Sequence, residues 1–563
     1  MAKQKIGWGQ VRGWLGEVIG PDGGYLRLAM VYGIAISLLS LATPISVQLL
    51  INSVAKIALP APLITLSALL FTLLLIVVIL AALRVHIMAL FERRLFARTM
   101  AEITIRAVHA RNPFFADARR VDLFNRYFDL MTVQKSVPSL VIGGFTILLQ
   151  SVVGLVVTSF YHPFFLGFNV ILIALVWLIW QLWSPGAIRS AVALSHAKHD
   201  AARWLEGLGT SNGFYKSSRH LDFAMDGSET MTAAYVAAHR RHFRFSFTQT
   251  CAYLLLYATA SAALLAMGGW LILQGQLSIG QLVAAELILS GVFYGLGQLG
   301  TYLDAFYDMV AAAEEVSLLY AIPHETHTRN SEAPGNGEVR LREVEAGDAR
   351  IDLTIPAASQ LVVVGAPTMD SRLAMLLKRN LQPDRGLVMV GGVDLEALDV
   401  YRLRSDVIVL DRPTIVEISI RDYLGLAGAG IPAGRVLDAL ALVGLDARIG
   451  QLPEGMETPL AASGYPLSIG ELMALKLANA LLARPKVLLL GPLYDLTPPT
   501  RLTAALDALR DAGTTVLLFT GRPEAIRRDG YLWLGKASQA RFETLDALRA
   551  TLTAQEAGNA LQA

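Results

Sequence analysis

Two stretches of this sequence set chemistry-bearing groups where backbone geometry would help them. Leu361–Gly365 (LVVVG) reads as a buried strand that runs through a turn into a helix at Leu373–Asn380. That strand–turn–helix context is where a phosphate-binding loop would lie. Leu467-Ser468-Ile469-Gly470-Glu471 opens a second helix. Ser468 and the Gly470 amide then stand at a helix N-terminus, which draws anions through its free N–H groups and the macrodipole. The same residues read equally as a capping box, Ser468 at N-cap and Glu471 at N3, and the two roles are compatible. Glu286 is a carboxylate inside an apolar run. Such a group is costly in a bilayer: it lines a polar path, carries a proton, reaches interfacial water, or bonds to a neighbouring helix. The single cysteine, Cys251, excludes an intramolecular disulfide and a cysteine-based metal cluster. Its apolar surroundings predict a small buried side chain. No catalytic residue and no metal-ligand set is assigned.

The elements that must position these groups divide the chain in two. Of 563 residues, 54% are hydrophobic, and mean hydropathy is +0.48, with the excess before residue 300. Six stretches reach the roughly 20 apolar residues a membrane helix needs: about Leu28–Ile51, Ala61–Leu83, Ser139–Phe160, Phe164–Trp183, Phe247–Leu273 and Ile279–Leu303. The connections Arg84–Val137 and Ser184–Ser246 hold ten and eight Lys and Arg residues, whereas the three short ones hold Lys56 alone. Basic residues stay in the cytoplasm, so both long connections and both termini are expected there. The long connections are helical in composition, with turns expected near Asn112–Arg119 and Gly209–Lys216. Gln48, Gln150 and Asn169 are expected to bond between membrane helices. Lys3, Lys5 and Arg12 precede a stretch too long for a signal core, so a retained anchor is expected. The net charge of +2 says little about partners, because its distribution matters more than its sum; no nucleic-acid partner is expected.

Ala321–Gly337 is rich in proline, asparagine and glycine and reads as a linker. Beyond it, Leu467–Leu490 reads as helix then strand, and Thr515–Phe519 as a strand after a helix at Thr503–Asp511. Strands alternating with helices predict an α/β domain with a largely parallel sheet. The expected organisation is an N-terminal segment 1–27, a membrane domain 28–320, a linker 321–337, an α/β domain 338–552 and a tail 553–563.

Six helices with two long cytoplasmic excursions resemble the transmembrane domain of type I ATP-binding-cassette (ABC) exporters over roughly residues 25–320. The stretch Gly269–Ala284 is similar to the connection between the fifth and sixth helices of that family. Residues 338–552 resemble its nucleotide-binding domain, most specifically across Leu467–Leu490, which is similar to the signature helix and the following strand. The resemblance is closest to exporters of type I secretion and bacteriocin systems. Fewer than thirty residues precede the first helix and none is cysteine, so the peptidase some of them carry is not expected. The implied fold is multi-domain: an all-α six-helix transmembrane domain followed by an α/β ABC ATPase-like domain, in a bacterial inner membrane.

The family's phosphate loop is G-x-x-G-x-G-K-[ST], and here the eight positions are Gly365-Ala366-Pro367-Thr368-Met369-Asp370-Ser371-Arg372. Only Gly365 matches. Thr368 and Asp370 replace glycines that reach φ > 0 easily, Ser371 replaces the lysine and Arg372 the magnesium-binding hydroxyl. By the same resemblance, Gly491 stands for the magnesium aspartate, Pro492 for the general-base glutamate, Asp411 for the glutamine and Gly521 for the histidine at the γ-phosphate. Asp348 stands for the aromatic that stacks on the base, and Asp495 reads as a solvated loop carboxylate. What survives is Leu467, Ser468 and Gly470 of the signature, which in the family caps a nucleotide held by the opposite subunit. The resemblance therefore implies no ATPase activity and no cofactor for the chain alone. ATP and Mg would be bound by a homologous, ATPase-competent half-transporter. The alternatives are an ATP-independent homodimeric scaffold and an exporter with unusual nucleotide handling.

Overall fold

A computed structural model describes residues 7–51, 60–111, 122–325 and 332–560. Contacts divide it into two units, 1–324 and 325–563.

Among the described residues, the first unit contains six helices long and apolar enough to cross a membrane: Trp8–Leu49, Leu63–Val108, Leu123–Ser159, Pro163–Thr210, Ser218–Leu273 and Ile279–Tyr320. At 1.5 Å per residue, a 48-residue helix such as the fourth is about 70 Å long, more than twice a bilayer's apolar thickness. The excess is the helical excursion expected from composition. One expected turn is a 3-10 turn at Asn212–Tyr215; the other, near 112–119, lies outside the described residues, as does the loop with Lys56. Local signals start the helices. Pro163 takes the first position of the fourth, and Ser278 and Gln281 form a capping box at the start of the sixth. The first of these spans opens inside the expected N-terminal segment, with a helix at Trp8–Ile19. It is fastened by the buried Asp22, which pairs with Arg94 at 3.0 Å and Arg98 at 2.8 Å.

Small residues and amides bring these helices together. A Cβ at Gly154 would lie 2.8 Å from Ile288 Cγ2, so only glycine permits that approach. Asn169 donates to Leu155 O, Thr158 Oγ1 and Ser159 Oγ, joining the third and fourth helices. Gln48 accepts from Tyr161 at 2.9 Å. Gln150 departs from expectation, with no interhelical hydrogen bond among the described residues. Cys251 departs too, because it is exposed. A helix bathed in lipid is apolar on its outer face as well, so apolar neighbours do not signal burial there.

In the second unit, β1 (Val339–Ala346), β2 (Ala349–Ile355), β3 (Gln360–Gly365), β4 (Arg385–Val390), β5 (Val393–Asp394) and β6 (Val407–Leu410) precede the helical segment. Then come β7 (Val487–Leu490), β8 (Thr515–Phe519), β9 (Gly530–Leu534) and β10 (Gln539–Phe542). An antiparallel sheet has the order β2-β1-β4-β5, and a second sheet the order β10-β9-β3-β8-β7-β6. In the second, β9, β3, β8, β7 and β6 run parallel. Continuous apolar runs such as VLLL in β7 are buried at every position, as strands covered on both faces must be. Of the expected linker, 326–331 lie outside the described residues. The last helix, Leu545–Ala560, runs into the segment expected to be a tail.

Candidate functional site

β3 ends at Gly365 and delivers the chain into the helix Met369–Leu377. That helix starts four residues earlier than expected, because Thr368 turns the backbone at φ 71°, ψ −4°. Thr368 thus keeps the left-handed conformation a glycine would take, which is strained for a β-branched residue. Ahead of it, Ala366 N–H donates to Leu534 O at 3.0 Å, so this amide is engaged by β9. Arg372 does not point away from the site: its Nη1 lies 2.5 Å from Asp348 Oδ1, and Lys536 Nζ lies 2.5 Å from Asp348 Oδ2. Lys536 first, then Arg372, hold the Asp348 carboxyl at about 2. The two positions that the resemblance assigns to the stacking aromatic and the magnesium hydroxyl, Asp348 and Arg372, are therefore joined as an ion pair within one chain.

At the end of β7, Gly491 N–H donates to Leu410 O at 2.9 Å. A Cβ at Gly491 would meet Asp411 Cα at 3.0 Å, so a metal-binding side chain would start against a tight backbone contact that must give by a few tenths of an ångström. Pro492 begins a short turn, Pro492–Leu496, anchored by fully buried Tyr494, whose hydroxyl donates to Met473 O at 3.0 Å. The expectation that Asp495 is merely solvated is wrong. Its Oδ1 accepts from Thr520 Oγ1 at 2.5 Å and its Oδ2 from Gly521 N–H at 3.0 Å. It occupies the donors of the loop in which the family places its γ-phosphate histidine. Without a loop lysine or a carboxylate at 491 or 492, these residues do not fit a magnesium nucleotide.

Leu467 is buried and anchors the signature segment, leaving Ser468 exposed as the N-cap of the helix Ile469–Ala483. The capping box is present. Ser468 N–H donates to Glu471 Oε2 at 2.8 Å, and Glu471 N–H donates to Ser468 Oγ at a long 3.4 Å. The Ser468 hydroxyl also donates to Glu471 Oε2, at 3.0 Å. Arg448 Nε holds the other carboxylate oxygen at 3.0 Å. Burial pushes the Glu471 carboxyl up, but the Ser468 hydrogen bonds and Arg448 outweigh it and hold it below its ordinary value. Gly470 has open space at its Cα. Among the described residues, no hydrogen bond or ion pair joins 467–471 to 365–372.

In the first unit, Glu286 is exposed and makes no hydrogen bond or ion pair among the described residues. Ser290, Tyr294 and Thr301 continue an uncovered stripe down the same helix. Their spacing keeps them on one face.

Known proteins share this architecture, although no family model matches the sequence. A solved bacterial Atm1-family ABC exporter with ATP bound superposes with a TM-score of 0.78 at 18% identity, covering 95% of this chain and 99% of that one. The chain has the fold of an ABC exporter. Among curated relatives, the alpha-hemolysin translocation ATP-binding protein of Proteus vulgaris is 29% identical over 234 residues, 40% of this chain and 33% of that protein. The cyclolysin secretion/processing ATP-binding protein of Bordetella pertussis is 27% identical over 317 residues, 52% of this chain and 43% of that protein. The matched part thus spans between a third and a half of these relatives. With six membrane-type helices and such relatives, this exporter-fold chain is an integral membrane protein.

Neither intrachain closure follows from the sequence. Its one usable signal is charge: two family positions carry opposite signs here, at Asp348 and Arg372. Asp495 and Thr520 give no such hint.

Proposed function

We propose that this chain is the catalytically inactive half of a heterodimeric, ATP-driven exporter in a bacterial inner membrane, with both termini cytoplasmic. The support is one contrast inside the second unit. The nucleotide-facing positions are engaged by the chain's own groups, Asp348 with Arg372 and Lys536, and Asp495 with Thr520 and Gly521. The signature helix, by comparison, presents Ser468 and Gly470 outward. A partner with an intact phosphate loop would hold ATP and Mg, and Leu467–Glu471 would close over that nucleotide. The relatives' names concern toxin translocation and secretion, which favours a protein or peptide cargo. Glu286, Ser290 and Tyr294 would line the path, since a polar stripe inside a bilayer is stable only when covered by protein or water.

An ATP-independent homodimeric scaffold has one observation in its favour: the Ser468 hydroxyl is donated to Glu471, leaving a carboxylate where an anion would approach. Ser468→Arg separates the two. It puts a long cation at the closing face and removes a cap worth about 1 kcal/mol, while Ser468→Asn keeps the cap. In the complex purified from its native membrane, Ser468→Arg is expected to abolish ATP turnover with assembly intact, and Ser468→Asn to leave assembly unchanged. Wild-type turnover in an assembled Ser468→Arg complex would leave Ser468 a structural cap, whereas a native complex with no second chain and no ATP turnover would favour the scaffold.

A further inference from the structure

Beyond the membrane-spanning stretches, the third, fourth and sixth helices bring together a group of side chains that the export reading does not use. His196 and His199 lie one turn apart on the fourth helix, so their rings share a face. Glu314 and Glu315 are neighbours on the sixth. His196 Nε2 lies 3.1 Å from Glu314 Oε2 and 3.7 Å from Glu315 Oε1, and His199 Nε2 lies 4.0 Å from that same Oε1. The Glu315 side chain is fully buried and Arg126 takes its Oε2. Its Oε1 is buried with no hydrogen-bond donor among the described residues. A bare buried carboxylate oxygen is costly, and here two imidazole nitrogens converge on it.

We propose that this cluster is a binding site for a divalent transition-metal ion, with His196 Nε2, Glu314 and Glu315 Oε1 as ligands and His199 Nε2 as the fourth. Imidazole and carboxylate donors together suit zinc and its first-row neighbours, whereas magnesium and calcium take oxygen-only sets. The His196, Glu314 and Glu315 donor atoms lie within 4.8 Å of one another. A tetrahedral ion with bonds of about 2.1 Å needs edges of about 3.4 Å, so these three must draw together, and His199, which lies outside that group, must turn in to join them. Charge permits it. Glu314, Glu315 and Asp129 face Arg126 and Lys198, which leaves one negative charge with neutral imidazoles. His199 would leave Asp129, now 2.5 Å away, and Asp129 would keep Lys198, also at 2.5 Å. The ion would tie the fourth helix to the sixth.

The test uses the full chain purified in detergent without a polyhistidine tag, stripped with chelator and titrated with Co²⁺. The expected result is saturable visible absorption at one ion per chain, displaced by Zn²⁺. His196 is 48% exposed at its side chain, so His196→Ala should fold; Glu314→Gln provides a second variant. Each should weaken Co²⁺ binding about tenfold or more, and His239→Ala, on an exposed face of the fifth helix, should not. Absence of saturable binding, or affinity unchanged in both ligand variants, overturns the proposal.

Discussion

Replacing Glu471 with glutamine removes one charge from the signature helix and leaves its shape. Glutamine can still return a side-chain oxygen to the Ser468 amide, so the capping box survives. What is lost is the pair with Arg448, whose side chain is 37% exposed against 30% for Glu471. A pair that wet is worth about 0.2–1 kcal/mol. The Glu471 carboxyl sits below its ordinary value. Its contribution is therefore present above the unfolded carboxyl range, about 4.3, and is lost as pH falls through the lower folded value. Wild type should exceed Glu471→Gln in stability by at most about 1 kcal/mol at neutral pH, and the gap should close below about pH 4. For a phosphate arriving in trans the sign reverses. A carboxylate about 4 Å away opposes each phosphate charge by about 4 kcal/mol at an effective dielectric of 20. Screening by Arg448 and salt reduces this, so a gain near tenfold in nucleotide affinity, about 1.4 kcal/mol, is expected in the complex. Denaturant unfolding between pH 4 and 8, beside the ATP dependence of the assembled complex, measures both. A stability gap that does not change with pH, or one above about 2 kcal/mol, would refute this account of the capping box.

Reporters fused after His162 should be extracytoplasmic and those after Lys216 cytoplasmic; a cytoplasmic signal at 162 would overturn the six-helix map. Gly491→Asp should not confer Mg-ATP binding and should destabilise the domain by about 1–3 kcal/mol through the approach to Asp411, read by nucleotide titration and unfolding; magnesium-dependent binding would contradict the tight geometry. Thr368→Gly should stabilise by about 0.5–1 kcal/mol, because relief of a left-handed β-branched residue exceeds the added chain entropy. A loss of stability would show that Thr368 makes a compensating contact.

Apolar runs of membrane length are legible in the sequence, because the bilayer demands them of each helix separately. So are Thr515–Phe519 and the helix-to-strand passage ending at Leu490, where local pattern and fold agree. The start of the helix at Met369 is not, since Pro367 reads as loop and nothing local announces Thr368 in a left-handed conformation. Nor are the closures at the site. Asp348 meets Lys536 across 188 residues, and Asp495 meets Thr520 across 25; one chain read linearly does not record such pairings. Cys251 misleads for the opposite reason, because the rule that buries apolar neighbours holds for water-soluble cores and fails on membrane-type helices, whose outer faces are apolar as well.

The Asp495 carboxylate is tethered to the loop whose donors it occupies. In a hydrolysing domain, that loop answers to a phosphate that arrives and leaves, and its motion carries news of the cycle. Here the anion is part of the chain. Thr520 and Gly521 already have a partner within the chain, so in the heterodimer proposed above such a half would be a listener, taking its timing from the chain it is bound to.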